Sequence, residues 1–145
     1  MKCIISLANA PIFLKSSIKD IKNILKLSKT LINPNGKIII FTLDPINNEI
    51  PTFSIMKKKL KKALIRDKKI IKSISYSFKG KIVRGFSYKV KISKKKYMEM
   101  VNSKYISVLL GMSHNLISSG LNEIKKKYKK QISFQDKLIC LVLNR

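Results

Sequence analysis

The sequence predicts an α/β fold, a sheet flanked by helices, and three observations carry that expectation. The first is a strand-like run, a helical run and a second strand-like run in succession, broken only by turn residues, over residues 2–43. The second is a pair of segments, Lys37-Ile-Ile-Ile-Phe-Thr-Leu43 and LICLVL at 138–143, that are apolar on both faces, the mark of strands buried inside a sheet. The third is residues 82–92, where Phe86, Tyr88, Val90 and Ile92 alternate with Ser87, Lys89 and Lys91, as an edge strand with one wet face requires.

Taken in order, KCIISLA at 2–8 reads as a buried strand ended by Asn9 and Pro11. Ser17-Ile18-Lys19-Asp20 has the S-x-x-D spacing of a capping box, so a helix begins there. Ile18, Ile21, Leu25 and Ile32 then recur at helical spacing, and Lys15, Lys19, Lys22, Lys26 and Lys29 fall on the opposite side. Asn33-Pro34-Asn35-Gly36 supplies the stop and the turn, with Gly36 free to take the positive φ that such a turn often needs. The strand at 37–43 should lie parallel to the first, because a right-handed crossover makes a βαβ unit of residues 1–44.

Asp44 to Pro51 is a polar loop, and Phe53, Met56, Leu60 and Leu64 then line one side of a helix running, broken or unbroken, to about Ser75 and stopped by Gly80. Residues 45–81 thus form a helical segment, and 82–145 read as strand, helices, strand. The helices should cover 94–110 and 113–130, the latter with Leu116, Leu121 and Ile124 inward, before a last strand at 134–143. Since LICLVL is apolar on both faces, that last strand should be internal and the alternating one peripheral.

At 145 residues and 45% hydrophobic content the chain is of single-domain size and has the material for a core. Cys3 and Cys140 lie far apart in apolar runs and read as buried reduced thiols. The lone His114 completes neither a zinc site nor a Ser-His-Asp triad. No apolar run reaches the roughly 18 residues of a membrane helix, so a membrane partner is not expected. Ala8-Asn9-Ala10 imitates a signal-peptide cleavage site, but the apolar stretch before it is too short and Pro11 follows at once. The expected location is cytoplasmic.

The net charge of +25 suggests a polyanionic partner such as RNA. All but three of the 32 basic residues are Lys, however, and Lys, Ile and Asn share A/T-rich codons. Base recognition favours Arg, so a nucleic-acid partner stands here as the alternative reading, a basic α/β RNA-binding module. Among seven carboxylates, Asp44 and Glu49 sit where α/β sheets bind ligands, in a loop at the carboxyl end of a parallel strand, although such acids also serve as ordinary turn residues. No glycine-rich phosphate loop is present.

The stretch SIKDIKNILKLSKTLINPNGKIIIFTLDP resembles the part of class I S-adenosylmethionine-dependent methyltransferases in which a helix passes through an L-x-P-x-G turn into the fifth strand of a Rossmann-like sheet. The preceding CIISLANAPIF resembles that family's fourth strand, FSYKVKIS its sixth and KLICLVL its antiparallel seventh. NSKYIS is similar to the R-S-x-S-Y-[IV]-S segment of small-molecule carboxyl methyltransferases like trans-aconitate methyltransferase.

The resemblance implies the C-terminal half of that sheet, strands corresponding to 4-5-7-6, acting on a small-molecule substrate. It implies that Ser6, Leu7, Ala8 and Asn9 border the S-adenosylmethionine cofactor near its reacting methyl. Phe13, Tyr105 and, as a carboxylate contact, Lys104 would bind substrate, with plain core packing the competing account of Phe13 and Tyr105. The family's first three strands and its glycine-rich cofactor loop have no counterpart in the chain. The chain is therefore expected to be inactive alone and to need a partner supplying those strands, since the fourth strand would otherwise expose an unpaired edge.

Overall fold

A computed structural model describes residues 3–6 and 17–144, with backbone alone at 3–6 and 83–84. Its elements are β1 (Cys3–Ser6), α1 (Ile18–Leu31), β2 (Lys37–Leu43), α2 (Ser54–Ser77), β3 (Lys81–Ser93), α3 (Lys94–Asn102), α4 (Ser107–Leu110), α5 (His114–Lys127) and β4 (Gln131–Asn144). The fold is α/β. The four strands form one mixed sheet in the order β1-β2-β4-β3.

β1 pairs with β2 in parallel, from Cys3 opposite Ile38 to Ser6 opposite Phe41, which completes the expected βαβ unit. β4 inserts antiparallel between β2 and β3, placing the segment that is apolar on both faces inside the sheet and the alternating segment at its edge. Within the described residues β1 is paired on one side only.

α1 starts where the capping box places it. The Asp20 N–H donates to Ser17 Oγ at 3.2 Å, and the Ser17 N–H donates to Asp20 Oδ2 at 2.9 Å, so two of the helix's orphan donors are satisfied reciprocally. Ile21 and Leu25 are buried and Ile32 is buried at the C-cap, but Ile18, in the first turn, is 39% exposed and lies off the packed stripe. At the turn, Gly36 does not take a positive φ. Its requirement is steric instead, since a Cβ there would stand 2.9 Å from the Asn33 carbonyl oxygen that the Gly36 N–H bonds.

α2 is one unbroken helix of 24 residues. Its C-terminal stop belongs to Lys79, which takes φ 49°, while Gly80 has no positive φ and leaves room for Leu143, whose Cδ2 lies 2.3 Å from where a Cβ would be. The expected helix at 94–110 is in fact two, α3 and the single-turn α4, because the chain turns at Lys104 with φ 55°. α5 turns Ile117, Gly120 and Ile124 to the core, with Leu116 and Leu121 only half-buried, one position away from the expected stripe. Gly120 faces the Phe53 ring, which would stand 2.5 Å from a Cβ. β4 begins three residues earlier than expected, at Gln131.

The apolar side chains gather in two clusters. Ile38, Ile40, Leu141 and Leu143 of the sheet pack with Ile21, Leu25 and Ile32 of the first crossover, with Ile70 and Ile74 of α2 and with Phe78 at its C-cap. The other cluster joins Phe53, Met56 and Leu60 to Tyr97 and Val101 of α3, Leu109, Ile117 and Ile124, closing on Ile132 at the far end of β4. α2 belongs to both, its first half to the helical cluster and its second half to the sheet. Among the described side chains of β3 only Val90 and Ile92 are partly covered, whereas Phe86 and Tyr88 on the same face are 36% and 53% exposed.

Candidate functional site

The loop 44–53 leaves the carboxyl end of β2 and runs beside β4, whose edge is free there because β2 has ended at Leu43 opposite Leu138. The Asp44 N–H continues the ladder onto the Lys137 carbonyl at 2.9 Å. Asp44 then folds the loop with its own side chain, Oδ1 accepting from the Ile46 and Asn47 N–H groups at 2.8 and 3.1 Å and Oδ2 from the Asn47 amide at 3.3 Å. Partial burial alone would raise the Asp44 pKa, but these hydrogen bonds and the Lys137 charge outweigh it and hold the carboxyl below its usual value.

Glu49 pins the loop's other end. One of its oxygens binds the Lys137 ammonium and the other accepts from the Gln135 N–H at 3.4 Å, so its pKa is lowered, chiefly by Lys137. Both acids are therefore engaged in shaping the loop, the turn-residue role that competes with ligand binding at such a position. Asn48 Oδ1 accepts from the Ile50 N–H at 3.1 Å, while its Nδ2 is buried without a partner.

Tyr105 and Lys104 lie in the turn between α3 and α4. Tyr105 packs edge-on against Tyr97, ring centroids 6.0 Å apart, in the helical cluster. The Tyr97 hydroxyl donates to the Pro51 carbonyl, and with its single proton spent it can only accept from Tyr105 at 3.3 Å. Burial pushes both phenols above their ordinary pKa. The Lys104 ammonium donates to the Met112 carbonyl at 2.8 Å, which ties down the turn. The structure thus brings Tyr105 to the loop at the end of β2 through Tyr97 and Pro51, and turns Lys104 elsewhere.

Of the expected cofactor contacts, Ser6 is the last residue of β1, its backbone opposite Phe41 of β2. Leu7, Ala8 and Asn9, with the expected substrate contact Phe13, lie outside the described residues. Absent from the expectation was Asp136. Its Oδ2 accepts from the Tyr88 hydroxyl at 2.6 Å, its Oδ1 is buried without a partner, and its charge helps raise the Tyr105 pKa. The signal available was Tyr88 in the alternating run, whose cross-strand neighbour is Asp136 once the register is known.

Two clefts flank the loop. One, about 460 Å³, lies between Pro45–Ile50 and the α2 side chains Lys57, Leu60, Lys61, Leu64 and Ile65. The other, about 540 Å³, lies between the first turn of α2 and the last turn of α5, walled by Thr52, Ser54, Lys57, Glu123, Lys126 and Lys127. Cys140 is a buried free thiol, and His114 is exposed at the start of α5. Comparison of the sequence with models of protein families and with curated proteins gives no match to either.

Proposed function

We propose that the chain is the C-terminal half of a class I S-adenosylmethionine-dependent methyltransferase domain that acts on a small molecule. The observation that carries the reading is the strand order. An antiparallel last strand sits between the second strand and the edge strand, which is the arrangement corresponding to 4-5-7-6 in that fold. Fold alone does not fix activity, and the support is the coincidence of this order with the L-x-P-x-G-like turn at 31–36 and the NSKYIS segment at 102–107.

The cofactor brings an already activated methyl group, so the protein's task is to position donor and acceptor. On this reading the end of β1 at Ser6 and the residues after it border the donor, and the loop 44–53 with Tyr105 behind it borders the acceptor. The residues present do not hold the cofactor by themselves, since the chain has no glycine-rich loop, and Asp44, the acid that follows β2, is engaged within its own loop. Its activity depends on a polypeptide supplying the missing strands at the free side of β1.

Calorimetric titration of the chain with S-adenosylmethionine is expected to show no binding. Adding a polypeptide with three strands and a D/E-x-G-x-G-x-G loop should restore it. Micromolar binding by the chain alone, or no restoration, overturns the proposal.

A further inference from the structure

We propose that the two clefts along the first half of α2 form one trough that binds the phosphate backbone of a single-stranded nucleic acid without regard to sequence. The clefts share Thr52 and Lys57 and so adjoin, one reaching to the last turn of α5 and the other to Ile46 and Ile65. Lys126 and Lys127 stand on the α5 side and Lys57 and Lys61, one helical turn apart, on the α2 side. All four are exposed, and none forms an ion pair within the described residues, where the ion pairs are Arg66–Asp67, Lys96–Glu99 and Lys137–Glu49. Lys127 lies over the Tyr128 ring at 5.2 Å, a contact that leaves its ammonium charged.

The trough's two carboxylates have partners of their own, although the Glu123 charge still acts on Lys127. Glu123 accepts from the Ser54 N–H at 2.9 Å and the Ser54 hydroxyl at 2.7 Å, capping α2 in place of the absent side-chain cap at Phe53. Glu49 is held by Lys137. The ammonium groups are left in excess, with the Thr52 hydroxyl as a neutral donor between them.

The chemistry selects nucleic acid over a lipid surface. The apolar faces of α2 and α5 are mostly spent on the core through Phe53, Met56, Leu60, Ile117 and Ile124, and the exposed Ile46 and Ile65 at the far end of the trough are too few to make the long apolar stripe that inserts into a bilayer. A concave, elongated trough suits a strand better than a plane. Lysines contact phosphates as point charges, and neither arginine nor an exposed aromatic ring lines the trough to read or stack bases.

The test is fluorescence anisotropy with the full chain and a labelled single-stranded RNA of mixed sequence, titrated across roughly 50 to 200 mM salt. K57Q/K126Q/K127Q should lower the slope of log affinity against log salt by about 2, since each single-strand phosphate contact contributes about 0.7. K19Q/K22Q/K26Q, which removes the same charge from α1, should change it by less than about 0.7. These positions lie on the surface, and circular dichroism and thermal melting verify that both variants are folded. Equal losses in the two variants, no saturable binding, or tighter binding to vesicles of 30% phosphatidylserine in phosphatidylcholine than to RNA would each overturn the proposal. None of these results depends on S-adenosylmethionine, so they separate from the outcome of the cofactor titration.

Discussion

Tyr97 shows how one side chain ties the candidate site to the core. It is 1% exposed, and its hydroxyl holds the Pro51 carbonyl, which ends the loop 44–53 just before α2. Tyr97→Phe keeps the ring but leaves a buried carbonyl and the Tyr105 hydroxyl without their partner, a loss of about 1 to 3 kcal/mol. Urea denaturation measures it. The pH dependence has a definite sign. Burial raises the Tyr97 pKa in the folded state, so its stabilising contribution is complete below the unfolded value of about 10 and declines as pH rises above it. Wild type should therefore lose stability more steeply above about pH 10 than Tyr97→Phe, which retains only the raised pKa values of Tyr105 and Tyr88 among the described residues. Parallel pH profiles for the two proteins would show that the hydroxyl is not buried as described.

Among the elements, α2 decides whether the molecule has one core or two. Met56 anchors its first half in the helical cluster and Ile74 its second half in the sheet cluster, and no break separates them. Met56→Ala and Ile74→Ala should each cost about 2 to 5 kcal/mol by cavity formation. Because a continuous helix transmits either loss to the other cluster, each variant should shift a single transition, seen alike by circular dichroism and tyrosine fluorescence. Two separated transitions would mean that the clusters unfold independently. The existence of α2 was legible in its 3.6-residue period, and α1 was legible down to its cap because Ser17 and Asp20 act locally. What sequence could not supply was whatever depends on a partner distant in the chain. Gly80 reads as a helix breaker but answers to Leu143, and the need for Gly120 beside the Phe53 ring has no local signal. Asp44 and Glu49 were correctly placed at a strand's carboxyl end, and Asp44 folds the loop through its near neighbours Ile46 and Asn47, but the role of Glu49 emerges only when Lys137 and Gln135 come alongside. Tyr88 and Asp136 meet through strand register alone.

For the whole molecule the governing quantity is charge. A net +25 on 145 residues is opposed within the described residues by three ion pairs, and Glu123 and Asp20 are spent capping helices. Exposed ion pairs contribute little in any case, about 0 to 1 kcal/mol each. Self-repulsion among the lysines therefore works against the compact state, most strongly where screening is weakest. At 0.01 M ionic strength the Debye length is about 30 Å, reaching across a small domain, and at 0.1 M it falls to about 10 Å, so that only near neighbours still repel. The apolar clusters and the mixed sheet are indifferent to this change at such low concentrations, which isolates the charge effect. The Tm should accordingly rise with sodium chloride between these limits. A gain of about 1 kcal/mol would read as roughly 2 to 4 °C for a chain of this size. Sodium sulfate matched in ionic strength should act alike if screening is the cause, whereas a Tm that is flat or falling with sodium chloride would show that the lysine charges are neutralised by contacts within the fold.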